Sequence, residues 1–193
     1  MSISKKIFNS FTELKKVHSL SAIAMLLALR VVLGFFANGT LAFFGNTIKI
    51  TGAFLPIAVT AAMFGPVPAA LVGALGDIIS FLLNPIGGAY FPGFTISGLL
   101  TGLIYGLFFY KNEITLPRTA IAWSVNTLLV ETFLAAYWLY LLNSASGGNT
   151  YDIYLVARFI SQAIKCVPEI LIILLCGKII SKIKIPDKNN KQT

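Results

Sequence analysis

The feature that most constrains this chain is the near-continuous apolar sequence from Ser19 to Ile180, which only short loops interrupt. A helix needs roughly 20 apolar residues to cross the hydrocarbon layer of a bilayer, and several stretches approach that length. Charged residues make up 11% of the 193 residues and the mean hydropathy is +0.82, whereas soluble domains carry about 25% charged residues. The chain is therefore predicted to be an all-α membrane protein.

Glycine, proline and polar clusters divide the apolar sequence into six predicted transmembrane helices. These helices are Ser19–Phe36, Ile48–Phe64, Pro68–Leu83, Gly93–Tyr110, Thr119–Leu142 and Tyr154–Ile180. They form one predicted membrane domain within residues 1–193, with the six-helix core at 18–181 and a basic tail at 182–193. Residues 1–17 are predicted to be a basic, amphipathic and only partly ordered flank.

Basic residues outside the helices lie on one side of this topology. They are Lys5, Lys6, Lys15, Lys16, Lys111, Arg118, Lys178, Lys182, Lys184, Lys188 and Lys191. The loops of the other side carry only Lys49. The positive-inside rule therefore places both termini in the cytoplasm of a multi-pass cell-membrane protein. Orientation and anionic lipid account for the net charge of +8, so no nucleic-acid partner is predicted.

The sequence offers no recognisable catalytic, metal-binding or nucleotide-binding pattern. His18 is the sole histidine, and Cys166 and Cys176 have neither disulfide-framework nor zinc-ligand spacing. A GxxxxGK[ST] phosphate loop is also missing. We therefore predict no enzyme activity, no cofactor, no metal and no ATP hydrolysis by the chain itself.

Six charged residues lie well inside the predicted helices, where a charge is costly unless it faces protein or a wet cavity. They are Arg30, Asp77, Glu131, Arg158, Lys165 and Glu169. In the sixth helix, Arg158, Gln162, Lys165 and Glu169 stand at i, i+4, i+7 and i+11, which places them on one inward face. This pattern predicts a binding or transport site.

Two other uses of these charges remain open. Three cations and three carboxylates can pair internally as salt bridges, and Glu169 is expected to be a structural partner of Lys165, four residues earlier. The carboxylates can also serve as a proton relay in an ion-coupled transporter of a small anionic solute.

Aromatic residues cluster in the predicted outer loops, at Phe43, Phe44, Tyr90, Phe91 and Phe94. Flat rings beside fixed cations suit a planar heteroaromatic ligand that carries anionic groups. The alternative is an interfacial aromatic belt, which membrane proteins commonly have.

The first predicted helix carries a small-xxx-small pattern at Ala24 and Ala28, which lets another helix approach closely. Arg30 lies about 200° around the helix from Ala28. One side of this helix can therefore meet a partner while the other side reaches a ligand.

These residues resemble the S-components, the substrate-binding subunits, of energy-coupling factor (ECF) vitamin transporters. The resemblance rests on the six-helix plan, on Ala24 and Ala28 followed by Arg30, and on the Gly65-Pro66 turn with Gly73, Gly76 and Asp77. The run Pro85-Ile86-Gly87-Gly88-Ala89-Tyr90-Phe91-Pro92-Gly93-Phe94-Thr95 and the stripe on the sixth helix resemble the folate-specific branch.

The resemblance implies an S-component-like bundle that captures folate at the outer face. It also implies partners, namely a membrane scaffold (T-component) that contacts Ala24 and Ala28, and two cytoplasmic ATPases that drive it. An S-component for another vitamin is the alternative within the family.

The resemblance also implies roles for individual residues. Arg30, Arg158 and Lys165 meet carboxylate or carbonyl oxygens of the ligand. Gln162 shares the helix face of Arg158 and Lys165. Asp77 or Glu131 accepts the paired N–H donors of a pterin edge. The rings are enclosed by Tyr90, Phe91 and Phe94.

Overall fold

The computed structural model describes residues 3–40, 52–83, 90–144 and 150–183, and every regular element in these ranges is helical. The elements are α1 (Ile3–Glu13), α2 (Val17–Thr40), α3 (Phe54–Phe64), α4 (Pro66–Leu83), α5 (Pro92–Phe109), α6 (Leu116–Asn126), a π-helical segment (Thr127–Leu134), α7 (Ala135–Ser144) and α8 (Tyr151–Ile183). The all-helical class is therefore confirmed for the described part of the chain.

Five helical stretches are long and apolar enough to cross a membrane. They are Val17–Phe35, Pro66–Leu83, Pro92–Phe109, Leu116–Ser144 and Tyr151–Lys178. The prediction for the second helix differs from the structure, because α3 has 11 residues and a helix of that length is only roughly 17 Å long. The start of the predicted helix, at Ile48, lies outside the described residues.

The break between α3 and α4 is a single residue. Gly65 has a φ of 96°, a left-handed conformation that side chains other than glycine rarely adopt. Pro66 then opens α4 two residues before the predicted start at Pro68, because a proline lacks only a hydrogen bond that the first turn of a helix does not make. The α3–α4 connection is therefore a tight turn of one residue.

Helices α4 and α5 pack with their backbones in direct contact. A Cβ atom added at Gly73 would meet the Gly98 backbone, and one added at Gly102 would meet the Ala69 backbone. At Gly106 the obstacle is Pro66. Gly98, Gly102 and Gly106 repeat every four residues, which is the small-residue spacing of close membrane helix pairs. This contact surface, the α4–α5 seam, fixes the position of α5.

The N-terminal flank forms a helix that packs on the bundle. The hydroxyl of Ser10 donates a hydrogen bond to the Phe64 carbonyl oxygen (3.0 Å) and accepts one from the Val67 amide (3.1 Å). Lys6 donates to the Leu107 carbonyl oxygen near the end of α5 (2.8 Å). Burial and the nearby Arg118 lower the pKa of Lys6. Helix α1 is thus attached to the end of the α4–α5 seam where α4 begins and α5 ends.

Candidate functional site

A cavity of about 220 Å³ lies among the helices of the bundle. Residues from α2 through α8 line it, including residues at the start of α3 and the π-helical segment. Seven of the predicted site residues are in its lining, namely Arg30, Asp77, Phe94, Glu131, Arg158, Gln162 and Lys165. Helices that are distant in sequence therefore bring the predicted side chains to one place.

Tyr90 and Phe91 lie beside this cavity and are not in its described lining. The Tyr90 hydroxyl hydrogen-bonds with the Thr95 hydroxyl, and Thr95 donates to Asp77 Oδ2 (2.7 Å). The ring of Phe91 packs against Phe94 (centroids 6.0 Å apart) and Trp138 (5.6 Å). Both residues thus contact the site through other side chains. Phe43 and Phe44 lie outside the described residues.

The polar stripe of α8 faces the cavity along its whole length. Arg158, Gln162, Lys165 and Glu169 all line it, and Gln162 and Lys165 are only 4% and 7% exposed. The helix continues through Pro168 from Tyr151 to Ile183, so the four positions keep a common face. The predicted inward stripe is therefore what the structure contains.

Each carboxylate of the cavity accepts a hydrogen bond from an uncharged side chain. Asp77 accepts from Thr95, as described above, and Glu131 Oε2 accepts from the Gln162 amide (3.3 Å). Glu169 Oε2 accepts from the Trp123 indole N–H (2.7 Å). Neutral donors therefore fix the acceptor groups of the site.

The cations of the cavity have no such partners. Within the described ranges, Arg30, Arg158 and Lys165 form no salt bridge and donate no side-chain hydrogen bond. The Nε atom of Arg30 is buried without an acceptor. No salt bridge joins the six charges in the described part of the molecule, although Lys165 interacts electrostatically with Glu131 and Glu169, and Arg30 with Asp77, over longer distances. Three cations stay available to an anionic ligand.

Gly76 determines where the Arg30 guanidinium lies. A Cβ atom added at Gly76 would overlap the Arg30 side chain, including its Nη1 atom. The guanidinium therefore crosses α4 at a position that only a glycine leaves open. Ala24 and Ala28 are exposed on the same helix as Arg30.

The structure adds a second lining stripe that the sequence interpretation missed. Phe94, Gly98, Thr101 and Tyr105 of α5 line the cavity at i, i+4, i+7 and i+11, the same spacing as the stripe of α8. The sequence indicated this stripe only weakly, because none of its residues is charged and only Thr101 and Tyr105 have polar side-chain atoms.

The π-helical segment places further polar groups in the cavity. Asn126 precedes it and Glu131 lies within it, five residues later, and both line the cavity. In an α-helix, positions five apart point about 140° away from each other. The wider i→i+5 turn of a π-helix brings them closer to one side, and such turns are frequent at functional sites. No described group of three or more His, Cys, Asp and Glu residues could hold a metal ion.

A family model described as "ECF transporter, substrate-specific component" matches residues 18–181. These residues coincide with the predicted helical core.

Two relatives and one solved structure resemble the chain over most of its length. A "Folate transporter FolT" of Clostridium novyi (strain NT) is 31% identical over 175 residues, which are 91% of this chain and 96% of the relative. Another "Folate transporter FolT", of Leuconostoc mesenteroides, is 30% identical over 145 residues, 74% of this chain and 75% of the relative. The structure described as "Crystal structure of FolT bound with folic acid" matches with a TM-score of 0.68 and 31% identity, covering 84% of this chain and 92% of that chain.

Proposed function

Because this chain belongs to the family of substrate-specific components of ECF transporters, we propose that it is the folate-binding subunit of such a transporter. It is a membrane transport protein and not an enzyme. The observation that carries the proposal is the cavity, where three cations lie without ion-pair partners among the described residues. A solved relative at 31% identity holds folic acid.

The cations account for the anionic end of the ligand. Folate carries two carboxylates on its glutamate part, and Arg30, Arg158 and Lys165 offer charge-assisted donors to carboxylate or carbonyl oxygens. A buried cation without a salt bridge is unfavourable, so a dianionic ligand that supplies acceptors gains affinity at these positions. Gln162 holds Glu131 and orients the middle of this surface.

The aromatic and acidic groups account for the ring end. Phe94 lines the cavity and offers a flat apolar contact to the pterin. Asp77 or Glu131 accepts the paired N–H donors of the pterin edge. Tyr90 and Phe91 complete the enclosure at the entrance, where Phe91 supports Phe94 and Tyr90 supports the Thr95–Asp77 hydrogen bond.

We place the remaining partners and the orientation in the same proposal. Ala24 and Ala28, exposed on α2, dock on a membrane scaffold that two cytoplasmic ATPases drive. Both termini lie in the cytoplasm and the chain crosses the membrane six times. The packing of α1 supports this arrangement, because Lys6 contacts the end of α5 close to Arg118, and basic residues gather on the cytoplasmic side.

Equilibrium binding of tritiated folic acid to the purified protein tests ligand identity. We expect saturable binding tighter than micromolar, and unlabelled folic acid should displace it more effectively than riboflavin, thiamine or pantothenate. Absence of saturable binding below micromolar concentration overturns the folate assignment. Tight displacement by another vitamin reassigns the ligand within the family.

Uptake in cells that express the scaffold and ATPases tests docking. We expect Ala24→Trp and Ala28→Trp to stop uptake while the purified variants keep their folate affinity, since both positions are exposed and away from the cavity. Loss of binding together with uptake would mean that this face is internal packing. Uptake that survives ATP depletion and stops when the proton gradient collapses would favour an ion-coupled transporter instead.

A further inference from the structure

Asn126 has an unusual environment for a polar side chain. It is the last residue of α6, is 4% exposed and lines the cavity. Its Oδ1 atom is buried and accepts no hydrogen bond from any described residue. A buried amide oxygen without a donor is unfavourable. The Asn126 amide group interacts with the Tyr105 hydroxyl, which lines the same cavity, and its Oδ1 atom is left as an acceptor that a ligand in the cavity can satisfy.

The neighbouring acceptor is Glu131. Only its Oε2 atom accepts a hydrogen bond from a described side chain, at the long distance of 3.3 Å from Gln162, and a carboxylate can accept several. The π-helical segment that starts at Thr127 brings Glu131 toward the side of the helix that Asn126 occupies. One widened turn thus presents an amide oxygen and a carboxylate to the same cavity.

Two neighbouring acceptors complement two neighbouring donors. The aminopyrimidinone edge of a pterin has adjacent N–H groups, on the ring nitrogen N3 and on the 2-amino group. We infer that Asn126 is a specificity-determining residue that accepts from the 2-amino group, while the neighbouring Glu131 accepts from N3–H. The inference rests on the proposed function and deepens it. It also favours Glu131 over Asp77 for this role, because Glu131 lies on the widened turn that follows Asn126, whereas Asp77 lies on α4.

The inference predicts a coupling between one side chain and one group of the ligand. We propose to measure equilibrium binding of folic acid and of its 2-desamino-2-methyl analogue to purified wild-type protein and Asn126→Ala. Loss of one buried hydrogen bond should weaken folic acid binding by about tenfold. The same substitution should weaken binding of the analogue by less than about twofold, because the donor is already missing. A purely structural role of Asn126 predicts equal losses for both ligands.

Thr132→Val is the matched control. Thr132 is 2% exposed, its hydroxyl oxygen also has no described hydrogen-bond partner, and it does not line the cavity. We expect this variant to bind both ligands as the wild type does. Should Asn126→Ala fail to fold, judged by its thermal unfolding midpoint, Asn126→Ser shortens the side chain and carries the same comparison.

The outcomes separate the two proposals. Failure of the wild type to bind folic acid overturns the proposed function. Normal wild-type binding with an unchanged folate affinity in Asn126→Ala, or with equal losses for folate and analogue, overturns the inference alone.

Discussion

Helix α5 contacts the rest of the molecule through two faces of opposite character. On one face, Gly102 and Gly106 touch the backbone of α4 without intervening side chains, and Gly98 lies at the boundary, where it touches Gly73 and also lines the cavity. On the other face, Thr101 and Tyr105 line a cavity together with charged groups of other helices. The first face is closed by contact between chain atoms, whereas the second is left open to a ligand.

The difference shows how one small bundle separates folding from binding. Membrane helices associate through close packing, because lipid is as apolar as their side chains, and glycines allow that packing. Charges contribute little to such packing and are costly in lipid. The seam therefore positions α5 through shape alone, and the cations around the cavity keep their hydrogen-bond donors for a ligand.

The largest effect is expected for Gly102→Ala, which places a methyl group in the α4–α5 seam. The new Cβ atom would meet the Ala69 carbonyl and the Ala70 nitrogen, and these backbone atoms can yield only if the two helices separate. We expect a loss of about 3 kcal/mol of stability, seen as a clearly lower unfolding midpoint of the purified protein in detergent.

Gly34→Ala is the matched control for this variant. Among the described residues, a Cβ atom at Gly34 meets only the Ser80 hydroxyl, at an ordinary distance of 3.6 Å, and alanine favours a helix over glycine by about 1 kcal/mol. Its unfolding midpoint should be unchanged or higher. Equal behaviour of Gly102→Ala and Gly34→Ala would contradict the close approach of α4 and α5.

The second effect belongs to the open face. Arg158→Ala and Lys165→Ala should each weaken folic acid binding by about 2 kcal/mol, since each loses a charge-assisted hydrogen bond to the ligand. Both variants should keep or raise the unfolding midpoint of the ligand-free protein, because they remove a cation that has no salt-bridge partner in the described ranges. Lys15→Ala, at an exposed position, should change neither quantity.

The reverse pattern would contradict this division between folding and binding. A large fall in ligand-free stability with unchanged affinity would make Arg158 and Lys165 structural charges of the bundle.

The sequence predicted the charged side of this comparison better than the packed side. Charges in an apolar helix stand out, and a fixed 3.6-residue period places Arg158, Lys165 and Glu169 on one face without knowledge of the fold. The helix boundaries followed from glycine and proline to within a few residues. The family resemblance, carried by short motifs, was confirmed by the family match over residues 18–181.

Other features depend on contacts that a linear pattern does not contain. The hydrogen bond from Trp123 to Glu169 joins residues 46 apart in sequence, and no pattern in the sequence indicates it. The amino-acid composition does not indicate the π-helical segment. In a regular α-helix, Asn126 and Glu131 would point in different directions, so nothing in the sequence grouped them. The short length of α3 within the described residues was also not apparent from its apolar sequence.

The third prediction concerns Gly76, a glycine of α4 that lies against the Arg30 side chain of the cavity. Gly76→Ala should displace the Arg30 guanidinium, since the clash is with the end of a flexible side chain and not with backbone. Folding should be retained and helped slightly by helix propensity. Folic acid affinity should fall by about tenfold, or about 1.4 kcal/mol, measured by the same binding assay.

Gly76→Ala and Gly102→Ala add the same methyl group, one beside the ligand-binding cavity and the other in the α4–α5 seam. We expect the first to lower folate affinity and the second to lower stability. A stability loss at Gly76 without an affinity loss would place Arg30 in the packing of α4.

The smallest effect is expected at the entrance, where Tyr90→Phe keeps the ring and removes the hydroxyl. That hydroxyl forms a hydrogen bond with the Thr95 hydroxyl, which in turn donates to Asp77. Tyr90 therefore affects the site only indirectly, through Thr95. Affinity for folic acid should fall by about twofold in Tyr90→Phe, and by about fivefold in Thr95→Val, where Asp77 loses its donor. Isothermal titration on the purified variants measures both. If Thr95→Val binds normally while Tyr90→Phe does not, the hydroxyl of Tyr90 contacts the ligand directly, and the open face extends to the entrance.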